Sequence, residues 1–185
     1  MLQPTYPVKT ARLILRPFTR DDLSALHSLQ SRPDVARYLG RAPRGRADTA
    51  RVLAEKIENR ALTIPGDALS IAVELIDTAE LIGDLTLALT SVENNSGEIK
   101  VVFHPKHHGK GYAAEATAEL LRLGFEEFGL HRIVGHCDGK NVASASLMEG
   151  LGMRREAHLR ESELVDGVWK DELVYAMLAV EWQRR

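Results

Sequence analysis

Cysteine is nearly missing from this chain, since Cys137 is its only one in 185 residues. A single cysteine cannot close an internal disulfide, which argues against the disulfide frameworks of small secreted domains and favours a reducing compartment. The chain also has no run of eighteen apolar residues, and its first ten residues lack the apolar region of a signal peptide. We therefore expect a cytoplasmic protein without a membrane partner.

A strong charge of either sign is absent as well. The 24 lysine and arginine residues nearly balance the 26 aspartate and glutamate residues, so the formal net charge is −2. Because nucleic-acid-binding domains are usually basic, this balance gives no electrostatic reason to expect a nucleic-acid partner. Internal repeats and low-complexity linkers are missing too, and the length suits one core, so we interpret residues 1–185 as a single domain.

The spacing of apolar residues predicts a domain that mixes helices and strands. Strand-like segments occur at residues 12–17, 69–75, 81–89, 99–103, 131–137, 153–165 and 169–179. Helical spacing occurs at residues 21–29, 34–39, 48–62, 112–128 and 141–150. Asp48 is predicted to cap the third of these helices.

The connections between the strands predict how they pair. Polar turns at residues 77–80 and 93–97 have hairpin length, so the second, third and fourth strands should form an antiparallel meander. A long helix separates the fourth strand from residues 131–137, which predicts parallel pairing between these two. Asp166 and Gly167 predict a tight hairpin between the last two strands.

Two glycines lie between the fourth strand and the long helix. Gly109 and Gly111 bracket Lys110 in the segment HPKHHGKGYAA, residues 104–114. Glycine accepts positive φ, so backbone N–H groups of such a loop can converge on one point, and a helix N-terminus adds about half a positive charge. The loop therefore predicts a binding site for phosphate.

Two other phosphate-binding motifs resemble this loop in part. The segment GKGYAA satisfies the loose G-x-G-x-x-A pattern of dinucleotide sites, although residues 104–108 separate its first glycine from the strand. A Walker loop is excluded, because no serine or threonine follows Lys110 and the four-residue gap between glycines is missing. A dinucleotide-dependent oxidoreductase therefore stays open as an alternative function.

Four motifs follow one another along the chain. They are RLILRPF with TRDD at residues 12–22, HPKHHGKGYAAEA at 104–116, NVASASLMEGLGM at 141–153, and DGVWKD at 166–171 followed by Tyr175. Together they resemble the GNAT superfamily of acyl-CoA N-acyltransferases, within it the RimJ/RimL-type branch. The resemblance implies a single-domain α/β (α+β) fold. Its mixed, mostly antiparallel seven-stranded sheet would be splayed at a central parallel pair and covered by helices on both faces.

The same resemblance implies an acetyl-CoA-dependent N-acetyltransferase. The acetyl group would pass by direct attack in a ternary complex to a primary amine, either a protein N-terminus or a small molecule. In that family the glycine loop holds the pyrophosphate of the coenzyme, the preceding strand pairs with its pantetheine arm, and an asparagine after the fifth strand bonds that arm. These roles would fall on Val101, Val102, Phe103, His108, Gly109, Lys110, Gly111, Tyr112, Ala113 and Asn141. A module that holds acyl-CoA without turnover is the alternative.

Acetyl transfer needs a neutral amine, and an amine of pKa about 10 is mostly protonated at neutral pH. Glu98, at the start of the fourth strand, and Glu161, before the last hairpin, are the candidate general bases. A solvated charge at a strand end is the alternative role of each. Period-two alternation also predicts that Glu163 shares a face with Glu161, so Glu163 stays open as a further candidate base.

The carbonyl and the leaving thiolate need two further groups. In the family a backbone N–H polarises the carbonyl where the fourth strand bulges from the fifth, which would lie near Val101 or Val102. Ser144 lies one helical turn after Asn141 and is the candidate that protonates the sulfur. A cap of the helix end is its alternative role.

Other polar residues give weaker indications. Three histidines adjoin the glycine loop, but no cysteine or carboxylate ligand lies at matching spacing, so we predict no metal site. Three arginines are expected in a solvated loop or, if functional, in a site for an acidic acceptor with two aromatic walls. The histidines are His104, His107 and His108, and the arginines are Arg41, Arg44 and Arg46. The aromatic walls would be Tyr38 and Trp169. The sequence does not determine the oligomeric state, and a homodimer stays open because small single-domain enzymes are often symmetric dimers.

Overall fold

Eight strands form one sheet in the computed structural model, which describes residues 3–185. The strands are β1 (Val8–Lys9), β2 (Leu13–Pro17), β3 (Ala68–Leu75), β4 (Leu81–Ser91), β5 (Ser96–Phe103), β6 (Arg132–Asp138), β7 (Arg154–Val165) and β8 (Val168–Leu178). Their order across the sheet is β1-β2-β3-β4-β5-β6-β8-β7. β5 and β6 pair in parallel at the centre, and the other neighbours pair antiparallel.

Helices cover both faces of this sheet. They are α1 (Leu23–Gln30), α2 (Pro33–Ala36), α3 (Arg46–Glu58), α4 (Tyr112–Arg122), α5 (Val142–Gly150) and α6 (Ala179–Trp182). A π-helical turn over Leu123–Glu127 extends α4. None of the helices in the described part of the chain is long and apolar enough to cross a membrane.

The structure confirms four predicted features of the fold. They are the meander β3-β4-β5, the parallel pairing of β5 with β6, the hairpin at Asp166 and the helices on both faces. The sheet has eight strands and not seven, because the two-residue β1 pairs with β2 and is too short to produce an alternating pattern. The prediction that Asp48 is the N-cap of α3 is wrong. α3 begins one turn earlier, with Gly45 as its N-cap, so Asp48 lies in the first turn.

The two faces of the sheet differ in polarity. On one face, Leu85 and Leu87 of β4 and Ile99 of β5 are buried in the larger core with residues of α4 and α5. Because side chains alternate along a strand, the neighbouring residues of β4 and β5 point to the opposite face, which α1 and α3 cover. There Leu26, Leu53 and other apolar residues form only a small core, so room remains for polar groups.

A bulge in β7 breaks the predicted alternation of Glu161 and Glu163. The register of β7 against β8 shifts between Leu159 and Glu163, and Glu161 adopts a φ of 50°. Its backbone N–H donates to Oδ1 of Asp171 at 2.9 Å. Because period-two alternation does not continue through a bulge, it no longer supports the expectation that Glu161 and Glu163 share one face.

A buried ion pair connects β2 to the start of α1. Asp22 is 6% exposed and accepts hydrogen bonds from Arg16 at 2.8 and 2.9 Å and from the backbone N–H of Thr19 at 2.7 Å. Burial acts to raise the pKa of Asp22, but the hydrogen bonds from Arg16 and Thr19 outweigh it and hold the pKa below its usual value. The pair therefore stabilises the fold only while Asp22 is charged.

Removing this carboxylate should lower stability in a pH-dependent way. We expect Asp22→Asn to reduce the free energy of unfolding at neutral pH by about 2 kcal/mol, as is typical for hydrogen bonds to a charged group. Since the folded pKa is depressed, the contribution is complete above the unfolded pKa of about 4 and is lost as the pH falls through the folded value. Urea unfolding of both proteins should show the difference shrinking below about pH 4.

Asp34→Asn is the matched control for this measurement. Arg32 and Asp34 form the same two-bond contact, at 2.8 and 2.9 Å, but on the surface of the protein. Because exposed ion pairs contribute little, we expect Asp34→Asn to change the unfolding midpoint much less than Asp22→Asn. Equal losses in the two variants would contradict the role given to burial.

Candidate active site

The glycine loop has the backbone geometry of an anion site. Gly109 and Gly111 adopt φ of 74° and 79°, which other residues adopt at a cost. Gly111 is the N-cap of α4, and Tyr112 and Ala113 form its first turn. A Cβ built on Gly109 would meet no atom within 4 Å, so the space beside the loop is open to a ligand.

Arg12 adds a charge to this loop that the spacing of residues did not reveal. Its Nη1 donates to the carbonyl oxygen of Lys110 at 2.8 Å, and its guanidinium lies 4.6 Å from the centre of the Tyr112 ring. Its Nη2 is 3.2 Å from the Cβ position of Gly111. Arg12 precedes the loop by about a hundred residues, and only its place in the first family motif drew attention to it.

Glu115 holds Arg12 in this position. Its Oε2 accepts from Nε of Arg12 at 2.7 Å, and its Oε1 accepts from the Thr10 hydroxyl at 2.6 Å. Burial acts to raise the pKa of Glu115, but the hydrogen bonds from Thr10 and Arg12 outweigh it, so the pKa lies below its usual value. Glu115 therefore stays charged at neutral pH and keeps the guanidinium beside the loop.

The three histidines before the loop serve different local contacts. Nδ1 of His104 accepts from the backbone N–H of Lys106 at 3.3 Å, and a ring nitrogen of His108 lies 3.1 Å from the Phe103 carbonyl oxygen. His107 is buried, and its Nε2 lies 3.5 Å from Oε1 of Glu80 without hydrogen-bond geometry. Within residues 3–185, no three His, Cys, Asp or Glu side chains are grouped as metal ligands.

The parallel strands separate halfway along β5. The last pair between them is Ile99 with Gly135. The backbone N–H of His104 donates to Ile82 on β4 at 2.9 Å, so by alternation the even-numbered residues of β5 bond β4 and Val101 faces the β6 side. Within the described residues, β6 offers Val101 no partner, so its backbone N–H is left open between the strands.

A cavity of about 460 Å³ lies at this separation and extends over the face covered by α1 and α3. We call it the main cavity. Among the predicted site residues it is lined by Glu98, Val101, Val102, Asn141 and Ser144. The loop residues 108–113 lie outside its wall. The end of β5, through Phe103, connects the loop with the cavity.

Glu98 and Glu161 lie in different places. Glu98 lines the main cavity, and its Oε1 is 3.5 Å from Nζ of Lys100. Glu161 lies on the bulge of β7 and lines a second cavity of about 380 Å³, together with Trp169. Tyr38 lines both cavities. Glu163 also lines the main cavity. Of the two candidate bases Glu98 and Glu161, the structure therefore brings only Glu98 together with the open amide of Val101.

The first turn of α5 forms the opposite wall of the main cavity. Oδ1 of Asn141 accepts from the backbone N–H of Ser144 at 3.1 Å and caps the helix, while its Nδ2 has no hydrogen-bond partner in the described structure. Ser144 lies beside Cys137, which is buried in the core as expected. Burial raises the pKa of the Cys137 thiol, although the Ser144 hydroxyl acts against this. Ser144 is thus the hydroxyl on this wall.

The main cavity also contains an ion pair that sequence reasoning missed. Nζ of Lys56 on α3 lies 2.8 Å from Oδ1 of Asp84 on β4, and their side chains are only 13% and 8% exposed. The two residues are 28 positions apart and belong to different elements. No local sequence pattern predicts such a pair, because it forms only when α3 packs on the sheet.

Known proteins share this fold and these motifs. Residues 12–154 match the family described as acetyltransferase (GNAT) domain. The chain belongs to the GNAT acetyltransferase family. It is 32% identical over 175 residues to the uncharacterized N-acetyltransferase YnaD of Bacillus subtilis, covering 95% of this chain and 98% of that protein. A crystal structure of a GNAT-family acetyltransferase from Bacillus anthracis has a TM-score of 0.85 and 33% identity, covering 94% of this chain and 99% of that chain.

Membership of this family makes the chain an acetyl-CoA-dependent N-acetyltransferase. The crystal structure of spermidine N-acetyltransferase from Vibrio cholerae in complex with CoA and spermine shares the fold, with a TM-score of 0.80 and 24% identity. The structural match covers 94% of this chain and 99% of the Vibrio cholerae chain. The acetyltransferase interpretation is therefore confirmed over the oxidoreductase and the non-catalytic acyl-CoA module. The roles of individual residues in this GNAT enzyme stay predictions.

A methyl group on the glycine loop should weaken binding of CoA. In Gly109→Ala the side chain enters the open space beside the loop, and a left-handed backbone costs an alanine about 1 kcal/mol. We expect the Kd for CoA, measured by isothermal titration calorimetry, to rise about fivefold to tenfold. Gly150→Ala is the control, because a Cβ at this helical position meets no atom within 4 Å. An unchanged Kd in Gly109→Ala would show that the pyrophosphate binds elsewhere.

Proposed function

We propose that this enzyme transfers the acetyl group of acetyl-CoA directly to a primary amine within a ternary complex. The observation that carries the proposal is the main cavity, whose wall combines the open amide of Val101, the carboxylate of Glu98 and the hydroxyl of Ser144. The cavity opens toward the face covered by α1 and α3, so the amine enters from that side. The coenzyme occupies the gap between β5 and β6.

The coenzyme is held along one continuous path. Its pyrophosphate binds the backbone N–H groups between His108 and Ala113, with the charges of Lys110 and Arg12 nearby. The pantetheine arm follows Val101 to Phe103 and pairs with the open backbone as an added strand would. The Nδ2 group of Asn141 donates to the arm from the other side. The thioester then reaches the main cavity.

Each proton transfer and each bond change in the proposed reaction is assigned to a named group. Glu98 accepts a proton from the ammonium group, directly or through a water molecule, and the neutral amine nitrogen attacks the thioester carbon. The N–H of Val101 stabilises the charge on the carbonyl oxygen. The C–S bond breaks, the thiolate takes a proton from Ser144, and the second proton of the attacking nitrogen restores the serine hydroxyl. Glu98 releases its proton to solvent. Acetylated amine and CoA are the products.

The acceptor is proposed as either a small-molecule amine or a protein N-terminus. The Vibrio cholerae relative is named for spermidine, and RimJ/RimL-type enzymes, which this chain resembles, acetylate protein N-termini. Both kinds of acceptor present a primary amine, which is the group that the proposed chemistry requires. The assignment to the RimJ/RimL-type branch stays a prediction, since substrate-binding loops vary on a common fold.

Loss of the proposed base should lower the rate of the chemical step. We expect Glu98→Gln to reduce kcat at neutral pH by about 10²-fold or more, the range of general-base catalysis, with little change in CoA binding. The reduction should shrink at high pH, where more of the amine is already neutral. Release of free thiol from acetyl-CoA with a panel of amines and peptides measures the rate.

Glu161→Gln is the matched control, because Glu161 lines the second cavity and not the main cavity. We expect it to retain most of the wild-type activity. Loss of activity in Glu161→Gln alone would transfer the role of base to Glu161. Full activity of Glu98→Gln, Glu161→Gln and Ser144→Ala would contradict all the catalytic assignments.

A further inference from the structure

Two arginines of the main cavity have no carboxylate partner among the described residues. Nη1 of Arg41 donates to the carbonyl oxygens of Gln30 and Ala42 at 3.4 and 3.2 Å. Nη1 of Arg44 donates to Oε1 of Gln30 at 2.9 Å. All of these acceptors are neutral, and both guanidiniums line the cavity. Neither guanidinium is therefore bonded to a carboxylate within the described residues, although Glu55 and Glu163 line the same cavity.

The other cations of the cavity are already paired. Lys56 contacts Asp84 at 2.8 Å, Lys170 contacts Asp138 at 3.1 Å, and Lys100 contacts Glu98 at 3.5 Å. The arginine pair is thus distinct from the lysines of the same wall. An arginine with free donors is suited to a carboxylate, because its planar fork matches the two oxygens.

The loop that carries the two arginines is largely exposed, as expected, but it is bonded to the core at Gln30. The backbone N–H of Arg44 donates to the carbonyl oxygen of Gln30 at 3.0 Å, and Gln30 itself is only 3% exposed. Both arginine side chains are partly buried. Their positions are therefore set before a ligand arrives, which lowers the entropic cost of binding.

The two guanidinium charges also repel each other in the free enzyme. Burial and the charge of Arg44 lower the pKa of Arg41, while Asp84 acts in the opposite direction. Asp84 is bonded to Lys56 and so compensates this pair only in part. A partly buried pair of like charges is stabilised by an anion, and the cavity leaves space for one.

We propose that Arg41 and Arg44 bind a carboxylate of the acceptor, and that the acceptor is a small amine that also carries a carboxylate, as an amino acid does. This assignment rests on the acetyltransferase mechanism proposed above, in which Glu98 receives the ammonium group. The two ends of such a molecule have opposite charges, and the cavity provides a carboxylate for one end and two guanidiniums for the other. A polyamine has no group for the arginine pair.

Matched acceptors test the carboxylate directly. Thiol release from acetyl-CoA is measured with a panel of free amino acids, the corresponding amino-acid amides, peptides with acidic second residues, and spermidine. We expect kcat/KM for the best amino acid to exceed that of its amide by about tenfold or more, the effect of one hydrogen bond to a charged group. A preference for the amide or for spermidine would overturn the proposal. A preference for the acidic peptides over every free amino acid would also overturn it.

Variants of the arginines separate this assignment from a general loss of activity. In Arg41→Gln/Arg44→Gln we expect kcat/KM for the preferred amino acid to fall about tenfold to a hundredfold, with the value for its amide unchanged. Arg46→Gln is the matched control, since Arg46 follows in the same segment but donates to Ser24 outside the cavity. Equal losses for amino acid and amide would contradict a carboxylate site, and thermal unfolding reports whether the double variant folds.

Failure of the transfer mechanism gives a different result. If the wild-type enzyme binds CoA but no amine releases thiol, the proposed function fails, and the arginine pair is tested without turnover. N-acetylated amino acids of the same panel are titrated into the enzyme with CoA bound. Binding that is weakened about tenfold or more in the double variant but not in Arg46→Gln would support the carboxylate site. Equal binding by all three proteins would refute it.

Discussion

The hydrogen-bond ladder between β5 and β6 stops after Ile99 and Gly135, and the main cavity exists because of this interruption. A backbone N–H without a strand partner is a strong donor that must find another acceptor. The interruption does not loosen the sheet, since β5 remains paired with β4 and β6 with β8 along their lengths. The central sheet therefore offers an open strand edge with rigid walls, and a ligand can bind that edge as a strand would.

Contacts between distant parts of the chain prepare the glycine loop. Arg12, which directly precedes β2, donates to the carbonyl oxygen of Lys110 and to the carboxylate of Glu115. The loop thereby gains a positive charge and a fixed carbonyl, while its glycines supply the conformation. A phosphate site built in this way depends on the docking of β2 beside α4 as much as on the loop itself, because neither arginine nor glycine produces it alone.

The polarity of the two sheet faces separates structural from functional tasks. Leucines and isoleucines fill the face beneath α4 and α5, where close packing holds the strands in register. The face beneath α1 and α3 has a much smaller apolar core and contains Lys56, Asp84 and the two cavity arginines. Buried charges are costly unless they are paired or bind a ligand. Their concentration on one face marks the side from which a charged acceptor is recognised.

The sequence by itself determined the features that depend on the periodicity or turn chemistry of adjacent residues. These are the order of helices and strands, the parallel crossover, the hairpin at Asp166 and the glycine loop before α4. Tertiary structure alone decided that Glu98 lies in the main cavity and Glu161 outside it, that Arg12 reaches the loop, and that Arg41 and Arg44 face a ligand site. The bulge at Glu161 and the contacts of the arginines depend on residues far apart in the chain. Such contacts form only when packing brings their elements together, and no local pattern encodes them.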